Sequence, residues 1–144
     1  MSGRLKMLSG RADAVVIDDS YNANPGSVRA ALDYLAALPG KRVLVLGDMA
    51  ELGEDSRELH AGIGEYARER CDSLLTIGEY SRAAADAFGA DGVACNNIED
   101  LEAAVAPMLD PSTIVLVKGS RVMQLDRLVA LLVDDDSNQQ GAVC

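Results

Sequence analysis

The sequence has few aromatic side chains, few cysteines and no long hydrophobic run. None of its 144 residues is Trp, one is Phe and four are Tyr, so the core has to be built from Val, Leu, Ile and Ala. The three cysteines, at positions 71, 95 and 144, form neither a CxxC pair nor a metal-ligand spacing. We therefore expect reduced thiols and a cytoplasmic location.

Positive charge is also scarce. Thirteen Lys and Arg stand against 23 Asp and Glu, which gives a formal net charge of −10, whereas a nucleic-acid partner would require a basic face. No segment approaches the roughly 18 apolar residues of a membrane span, and the first residues lack a signal-peptide core. The expected partners therefore include neither nucleic acid nor a membrane. An apolar fraction of 49% at this length suits one domain with a substantial core.

Short apolar runs predict the strands of a sheet. Four of them are rich in β-branched residues and do not alternate with polar ones, which is typical of strands covered on both faces. Apolar residues at helical spacing lie between these runs, and Asp55, Glu58 and Asn97 stand in capping positions. The strand runs are 14–18, 43–47, 74–78 and 113–119; the helical patterns are 28–38, 59–67, 98–108 and 125–132, with a weaker helix near 80–88 and a short strand at 92–95.

The alternation of strands and helices predicts an α/β fold. We expect a Rossmann-like three-layer domain, with a mostly parallel sheet of about six strands and helices on both faces. The opening segment GRLKMLS predicts an antiparallel N-terminal edge strand that turns back through GRAD. The domain is expected over 1–133, followed by a polar, disordered tail over 134–144.

Polar side chains crowd the segment DDSYNANPGS at 18–27, directly after the first of these runs. Asn24 and the Pro that follows it suit the start of a helix. A connector has less use for Asp19, Tyr21 and Asn22, and ligands of open α/β sheets gather at the carboxyl ends of strands. These residues suit a small ligand with hydroxyls or ring nitrogens. A polar loop that only caps a helix is the alternative.

Two further loops carry charge of opposite sign. In GDMAELGEDS at 47–56, Asp48 and Glu51 suit an amine or a metal ion, although a solvated acidic loop is the alternative. KGSR at 118–121 puts two cations and a hydroxyl at a predicted helix N-terminus, which favours a carboxylate or a phosphate. The sequence has neither GxxxxGK[ST] nor GxGxxG, so these loops look like half of a site.

Three segments occur in the order and spacing of the C-terminal domain of the Mur ligases: DDSYNANPGSVRAAL, VLVLGDMAELGEDSRELH and LVKGSR. From GRL at 3–5 to about residue 133, the chain resembles this family, and most closely its branch that adds D-alanyl-D-alanine. The resemblance implies an ATP- and Mg²⁺-dependent ligase of peptidoglycan synthesis, which joins D-Ala-D-Ala to UDP-MurNAc-tripeptide through an acyl phosphate. The N-terminal domain and the central domain with its P-loop are missing, so we expect this chain alone to be inactive.

The resemblance also implies roles for individual residues. ATP and Mg²⁺ would be bound mainly by the central domain, and neither a catalytic residue nor a metal site is expected in this fragment. His60, the only histidine, would support the contacting residues from behind. The expected nucleotide contacts are Arg4, Asp19, Tyr21, Asn22 and Asn24; the expected D-Ala-D-Ala contacts are Lys118, Ser120, Arg121, Asp48 and Glu51.

The alternative function is a stand-alone α/β ligand-binding or receiver-like module. A receiver domain needs an acidic cluster, a phosphorylated Asp and a Lys after a later strand, and Asp18, Asp48 and Lys118 superficially match this pattern. Against it, the loop SYNANPGS has no role in a receiver. A thiol sensor that uses Cys71 and Cys95 has almost no support.

Overall fold

Strands and helices alternate along the chain in a computed structural model that describes residues 5–50 and 52–133. Short 3-10 turns at Gly53–Asp55 and Arg121–Met123 precede the second and the last helix. The predicted tail at 134–144 lies outside the described residues. The elements are β1 Lys6–Ser9, β2 Val15–Asp19, α1 Pro25–Ala36, β3 Lys41–Gly47, α2 Ser56–Ala67, β4 Ser73–Ile77, α3 Arg82–Phe88, β5 Gly92–Cys95, α4 Ile98–Val105, β6 Thr113–Lys118 and α5 Asp126–Leu132.

The strands form one six-stranded sheet in the order β1-β2-β6-β3-β4-β5. β1 pairs antiparallel with β2, and every other pair is parallel. The antiparallel edge strand and the short strand at 92–95 are thus confirmed, as is the mostly parallel sheet. β6 lies in the middle of the sheet although it is the last strand within the described residues. Among the described residues no helix has the length and hydropathy of a membrane span.

Helices cover both faces of the sheet. α1, α2 and α3 pack on one face, and α4 and α5 pack on the other. Alternate side chains of each strand therefore enter different apolar layers: Leu116 packs toward α1, whereas Val117 packs toward α5. By the same alternation, the last residues of β2 and β6 face the α1 side. The parallel register places these two residues, Asp19 and Lys118, opposite each other.

The helix starts agree only in part with the predicted caps. The side chain of Asn97 accepts the backbone N–H of Asp100 at 2.7 Å, as its position at the start of α4 predicts. The capping box predicted at Asp55 and Glu58 is wrong, because Asp55 makes no side-chain cap bond at the start of α2. Its backbone already belongs to the preceding 3-10 turn instead of adopting the extended conformation of an N-cap.

Candidate functional site

Four loops meet at the edge of the sheet where the parallel strands end. They are named here after the strands that they follow: the β2 loop (20–24), the β3 loop (48–50 and 52–55), the β4 loop (78–81) and the β6 loop (119–125). This edge is the usual place for a ligand in an open α/β sheet. Of the residues expected to bind, Arg4 and Glu51 lie outside the described residues.

A buried ion pair joins the end of β2 to the end of β6. The Nζ atom of Lys118 lies 2.6 Å from Oδ2 of Asp19, and the two side chains are 4% and 6% exposed. The same ammonium donates to the carbonyl oxygen of Asn22 at 3.0 Å. Burial raises the pKa of Asp19, although the hydrogen bond and the charge of Lys118 act in the opposite direction. An expected nucleotide contact and an expected dipeptide contact are therefore direct neighbours.

Hydrogen bonds within the chain hold the β2 loop in shape. The hydroxyl of Ser20 donates to Oδ1 of Asp18 at 2.6 Å, and its backbone N–H donates to the same oxygen at 3.0 Å. Asn24 forms a capping box with Ser27 at the start of α1: its Oδ1 accepts the Ser27 N–H at 2.9 Å, and its own N–H donates to the Ser27 hydroxyl at 3.0 Å. Asn22 remains exposed beside this cap.

A cation and an aromatic ring form the exposed rim between the β2 and β6 loops. The guanidinium carbon of Arg121 lies 5.5 Å from the centre of the Tyr21 ring, which is the range of a cation–π contact. Tyr21 is 42% exposed, and the neighbouring Val122 is 79% exposed. Of the two cations of KGSR, Lys118 is paired internally and Arg121 faces outward.

The helix N-terminus predicted at KGSR is wrong. Arg121 begins a 3-10 turn of three residues, and α5 starts only at Asp126. Gln124 separates the two because it adopts left-handed backbone angles, with φ of 54°. An anion at this loop would therefore meet the Arg121 side chain and not the N-terminus of an α-helix.

Asp48 connects three of the four loops. Its carbonyl oxygen accepts the hydroxyl of Ser120 at 2.8 Å and the backbone N–H of the same residue at 3.4 Å. Its carboxylate accepts the backbone N–H of Ser81 at 2.7 Å and that of Tyr80 at 3.2 Å. Lys118 contacts Asp19 and not Asp48, so the Asp–Lys contact of a receiver domain is not formed in the described structure.

His60 supports the β3 loop from inside the protein. Its ring is fully buried, and its Nε2 accepts the backbone N–H of Met49 at 2.9 Å. Its Nδ1 lies 2.6 Å from the carbonyl oxygen of Ser56. The histidine therefore binds the backbone at both ends of the β3 loop.

Sequence reasoning missed the side chains of Tyr80 and Arg57 at this edge. Tyr80 is 38% exposed, and its ring stacks on His60 with the ring centres 6.2 Å apart and the planes at 29°. The guanidinium carbon of Arg57 lies 5.8 Å from the centre of the Tyr80 ring. For Tyr80 the available signal was the segment GEYS at 78–81, which starts at the last residue of the strand run 74–78. Within 5–50 and 52–133, no group of three His, Cys, Asp or Glu side chains is placed to hold a metal ion.

Known proteins share both the sequence and the fold. The UDP-N-acetylmuramoyl-tripeptide–D-alanyl-D-alanine ligase of Escherichia coli K12 is 40% identical over 139 residues, which cover 92% of this chain and 30% of that protein. A MurF structure from Acinetobacter baumannii superposes with a TM-score of 0.77 at 32% identity, and covers 90% of this chain and 30% of that one. The structure of the MurF ligase of Thermotoga maritima in complex with ADP superposes with a TM-score of 0.76 at 26% sequence identity. The match again covers 90% of this chain and 30% of that one.

These relatives are much longer than the chain, which spans about a third of their length (30%). Residues 3–121 match the family model described as Mur ligase, glutamate ligase domain. This match includes the β2, β3 and β4 loops and reaches Arg121 in the β6 loop. The chain belongs to the Mur ligase family, as its glutamate ligase domain.

Proposed function

We propose that the chain is the C-terminal domain of an ATP-dependent ligase that joins D-Ala-D-Ala to UDP-MurNAc-tripeptide in peptidoglycan synthesis. The observation that carries this proposal is the junction of the DDSYNAN and KGSR loops at Lys118, which contacts both Asp19 and Asn22. The names of ligases that are similar in sequence support it. The N-terminal and central domains of such an enzyme would supply the UDP-substrate site and the P-loop.

The dipeptide would bind at the β6 and β3 loops. Arg121 is exposed and flanked by the ring of Tyr21, and its planar guanidinium suits the free carboxylate of D-Ala-D-Ala. Asp48 is half-buried, and each of its carboxylate oxygens accepts one N–H, so a lone pair on each is left for the dipeptide amine. Lys118 and Ser120 are buried and hold this surface from below.

The nucleotide would contact the β2 loop. Tyr21, Asn22 and Asn24 are exposed there, and the Tyr21 ring beside the Asn22 amide suits a nucleoside. Asn24 is engaged as the helix cap and Asp19 in the ion pair, so both would act by shaping the loop. When bound, ATP supplies the phosphoryl group that activates the tripeptide carboxylate. Mg²⁺ is assigned to the central domain.

Titration of the isotope-labelled chain, followed by NMR, tests this assignment. We expect D-Ala-D-Ala to shift amide signals of the β3 and β6 loops, and Mg-ATP to shift those of the β2 loop. L-Ala-L-Ala serves as the stereochemical control. Arg121→Ala should abolish the dipeptide shifts, whereas Arg68→Ala should keep them, because the exposed Arg68 follows α2 at the opposite edge of the sheet. Dipeptide shifts that survive in Arg121→Ala would contradict the assignment.

Activity requires the missing domains, so the isolated chain should not ligate. A chimera tests the activity itself: this chain replaces the corresponding third of the E. coli relative. We expect ATP-dependent addition of D-Ala-D-Ala by the chimera and its loss in the Arg121→Ala version. A folded chimera that binds nucleotide without ligating D-Ala-D-Ala would contradict the proposed function, as would ligation by the isolated chain.

A further inference from the structure

We propose that His60 is a positioning residue of the dipeptide site. It fixes Met49, and thereby Asp48, which in turn holds the β4 and β6 loops. The inference rests on the proposed function, because the surface that His60 shapes is the one assigned to D-Ala-D-Ala. It assigns His60 no contact with substrate.

The hydrogen bonds of His60 define its proton state. Nε2 accepts the N–H of Met49 at 2.9 Å and therefore carries no proton. The proton of the neutral ring is then on Nδ1, which donates to the carbonyl oxygen of Ser56 at 2.6 Å. Both nitrogens are used by the backbone, and the side chain is fully buried. This arrangement leaves His60 no position from which to exchange a proton with a substrate.

The two bonds of His60 span the β3 loop. Met49 stands near its beginning, and Ser56 is the first residue of α2. Without the imidazole, the Met49 N–H would lose its acceptor beside the apolar layer in which the Met49 side chain is buried. An unsatisfied buried donor is unfavourable, so this end of the loop would move away. His60 thus determines where the β3 loop leaves the sheet.

Asp48 transmits this position to the neighbouring loops. It directly precedes Met49, so any movement of the Met49 backbone moves Asp48 as well. The carboxylate holds the N–H groups of Tyr80 and Ser81, and the carbonyl oxygen holds Ser120. A displaced Asp48 would therefore release the β4 loop and Ser120, the residue before Arg121. The path from His60 to the exposed guanidinium consists of hydrogen bonds and adjacent residues throughout.

The proton state can be tested in the unaltered chain. Nitrogen chemical shifts of the His60 ring should show a protonated Nδ1 and an unprotonated Nε2. A scalar coupling through the hydrogen bond should connect Nε2 to the amide nitrogen of Met49. A protonated Nε2 would overturn the proposal, because such a ring cannot accept the Met49 N–H.

Two substitutions separate the contacts of His60. In His60→Asn the amide lies near the position of Nδ1 and can keep the bond to Ser56, whereas in His60→Gln it lies near Nε2 and can accept from Met49. In His60→Asn we expect amide exchange at Met49, Ser81 and Ser120 to accelerate about tenfold, the effect of losing one hydrogen bond. His60→Gln should restore much of the protection. Acceleration at Met49 alone would overturn the proposal.

Amide exchange at Leu75, in the middle of β4, reports global unfolding. If amide exchange at Leu75 accelerates in His60→Asn together with exchange in the loops, Asp48→Asn is the variant to measure. Its side-chain amide can accept only one of the Tyr80 and Ser81 N–H groups, and its NH₂ faces the other. That variant should accelerate amide exchange at Tyr80 or Ser81 while the coupling between Met49 and His60 persists. Where Leu75 keeps its protection in His60→Asn, Tyr80 and Ser81 of the double variant should exchange no faster than in Asp48→Asn, because both changes act along one path. Additive acceleration would overturn the proposal.

Ligand titrations separate this inference from the proposed function. His60→Asn should weaken the D-Ala-D-Ala shifts of the β6 loop, leave the Mg-ATP shifts of the β2 loop unchanged, and be rescued by His60→Gln. If the D-Ala-D-Ala shifts and the Mg-ATP shifts weaken equally, the positioning role is overturned. Absence of any dipeptide shift in the unaltered chain and of ligation by the chimera would instead reject the proposed function, and with it the site that His60 is inferred to shape.

Discussion

The ammonium of Lys118 and the carboxylate of Asp19 are in contact at 2.6 Å, with both side chains almost completely buried. The pair joins the last residue of β2 to the last residue of β6. It therefore fixes the relative position of the two loops assigned to nucleotide and dipeptide. Removing a charge from water is unfavourable, so each partner depends on the other.

Loss of one partner of this pair should be strongly destabilising. We expect Lys118→Met to lower the free energy of unfolding by about 3–5 kcal/mol, because Asp19 is then left buried without its counter-charge. Asp19→Asn should also destabilise the chain. The double variant should lose less than the sum of the two, by about 1 kcal/mol or more. Urea denaturation gives the free energy of unfolding of the unaltered chain, the two single variants and the double variant. If the two losses simply add in the double variant, Lys118 and Asp19 are not coupled.

Gly78 should tolerate no side chain. Its φ is +117°, and a Cβ placed there would collide with the carboxylate of Asp48. Gly89 is the matched control, since its φ is +110° but no atom lies within 4 Å of the added Cβ. Gly89→Ala should cost about 1–3 kcal/mol from backbone strain alone. Gly78→Ala should cost more and also shift the Tyr80 and Ser81 amide signals; equal costs without loop shifts would contradict this reading.

Asn24 should matter as a helix cap and not as a ligand contact. Asn24→Ala removes the acceptor of the Ser27 N–H and should cost about 1 kcal/mol, as should Asn97→Ala at the matching cap of α4. Asn24→Ser should restore the stability of α1. Because the cap uses Oδ1, we expect Mg-ATP shifts to persist in Asn24→Ser. Their loss there, at normal stability, would make Asn24 a direct contact.

Cys71 should be unreactive in the folded chain. Burial and, to a smaller extent, the neighbouring Asp72 raise the pKa of its thiol from 9.0 to about 12. At pH 8 the reactive thiolate is then about a thousandfold scarcer than for an unperturbed cysteine. Mass spectrometry after iodoacetamide treatment of a Cys144→Ser variant should find Cys71 unmodified until urea unfolds the chain. Rapid labelling in native buffer would contradict its placement.

The sequence was sufficient to predict the individual elements. Runs such as the one at 43–47 are apolar throughout because both faces of the strand are covered. Their short length, β-branched residues and closing Gly distinguish them from helices. Asn97 was predictable as a cap for a similar reason, since the hydrogen bond that it makes spans only three residues. The start of α5 was not predictable in this way. Glutamine has no preference for left-handed backbone angles, yet Gln124 adopts them and separates the 3-10 turn from α5.

The candidate site was predictable as a set of residues but not as a network. Lys118 and Asp19 are 99 positions apart, and no local pattern reveals that β6 lies beside β2. The bond between His60 and Met49 likewise depends on how α2 folds back against the end of β3. The rule that ligands gather at the carboxyl ends of parallel strands placed the β2 and β6 loops at one edge of the sheet. Only the packed structure shows the ion pair between the ends of β2 and β6.

The central place of β6 has a consequence for synthesis of the chain. β6 lies between β2 and β3, so residues up to 112 contain two separate groups of strands, β1–β2 and β3–β4–β5. These groups become one sheet only when residues 113–118 are inserted between them. A ribosome-bound chain that ends earlier exposes two open strand edges, which are prone to wrong pairing. Asp19 then has no ion-pair contact with Lys118 until β6 has emerged.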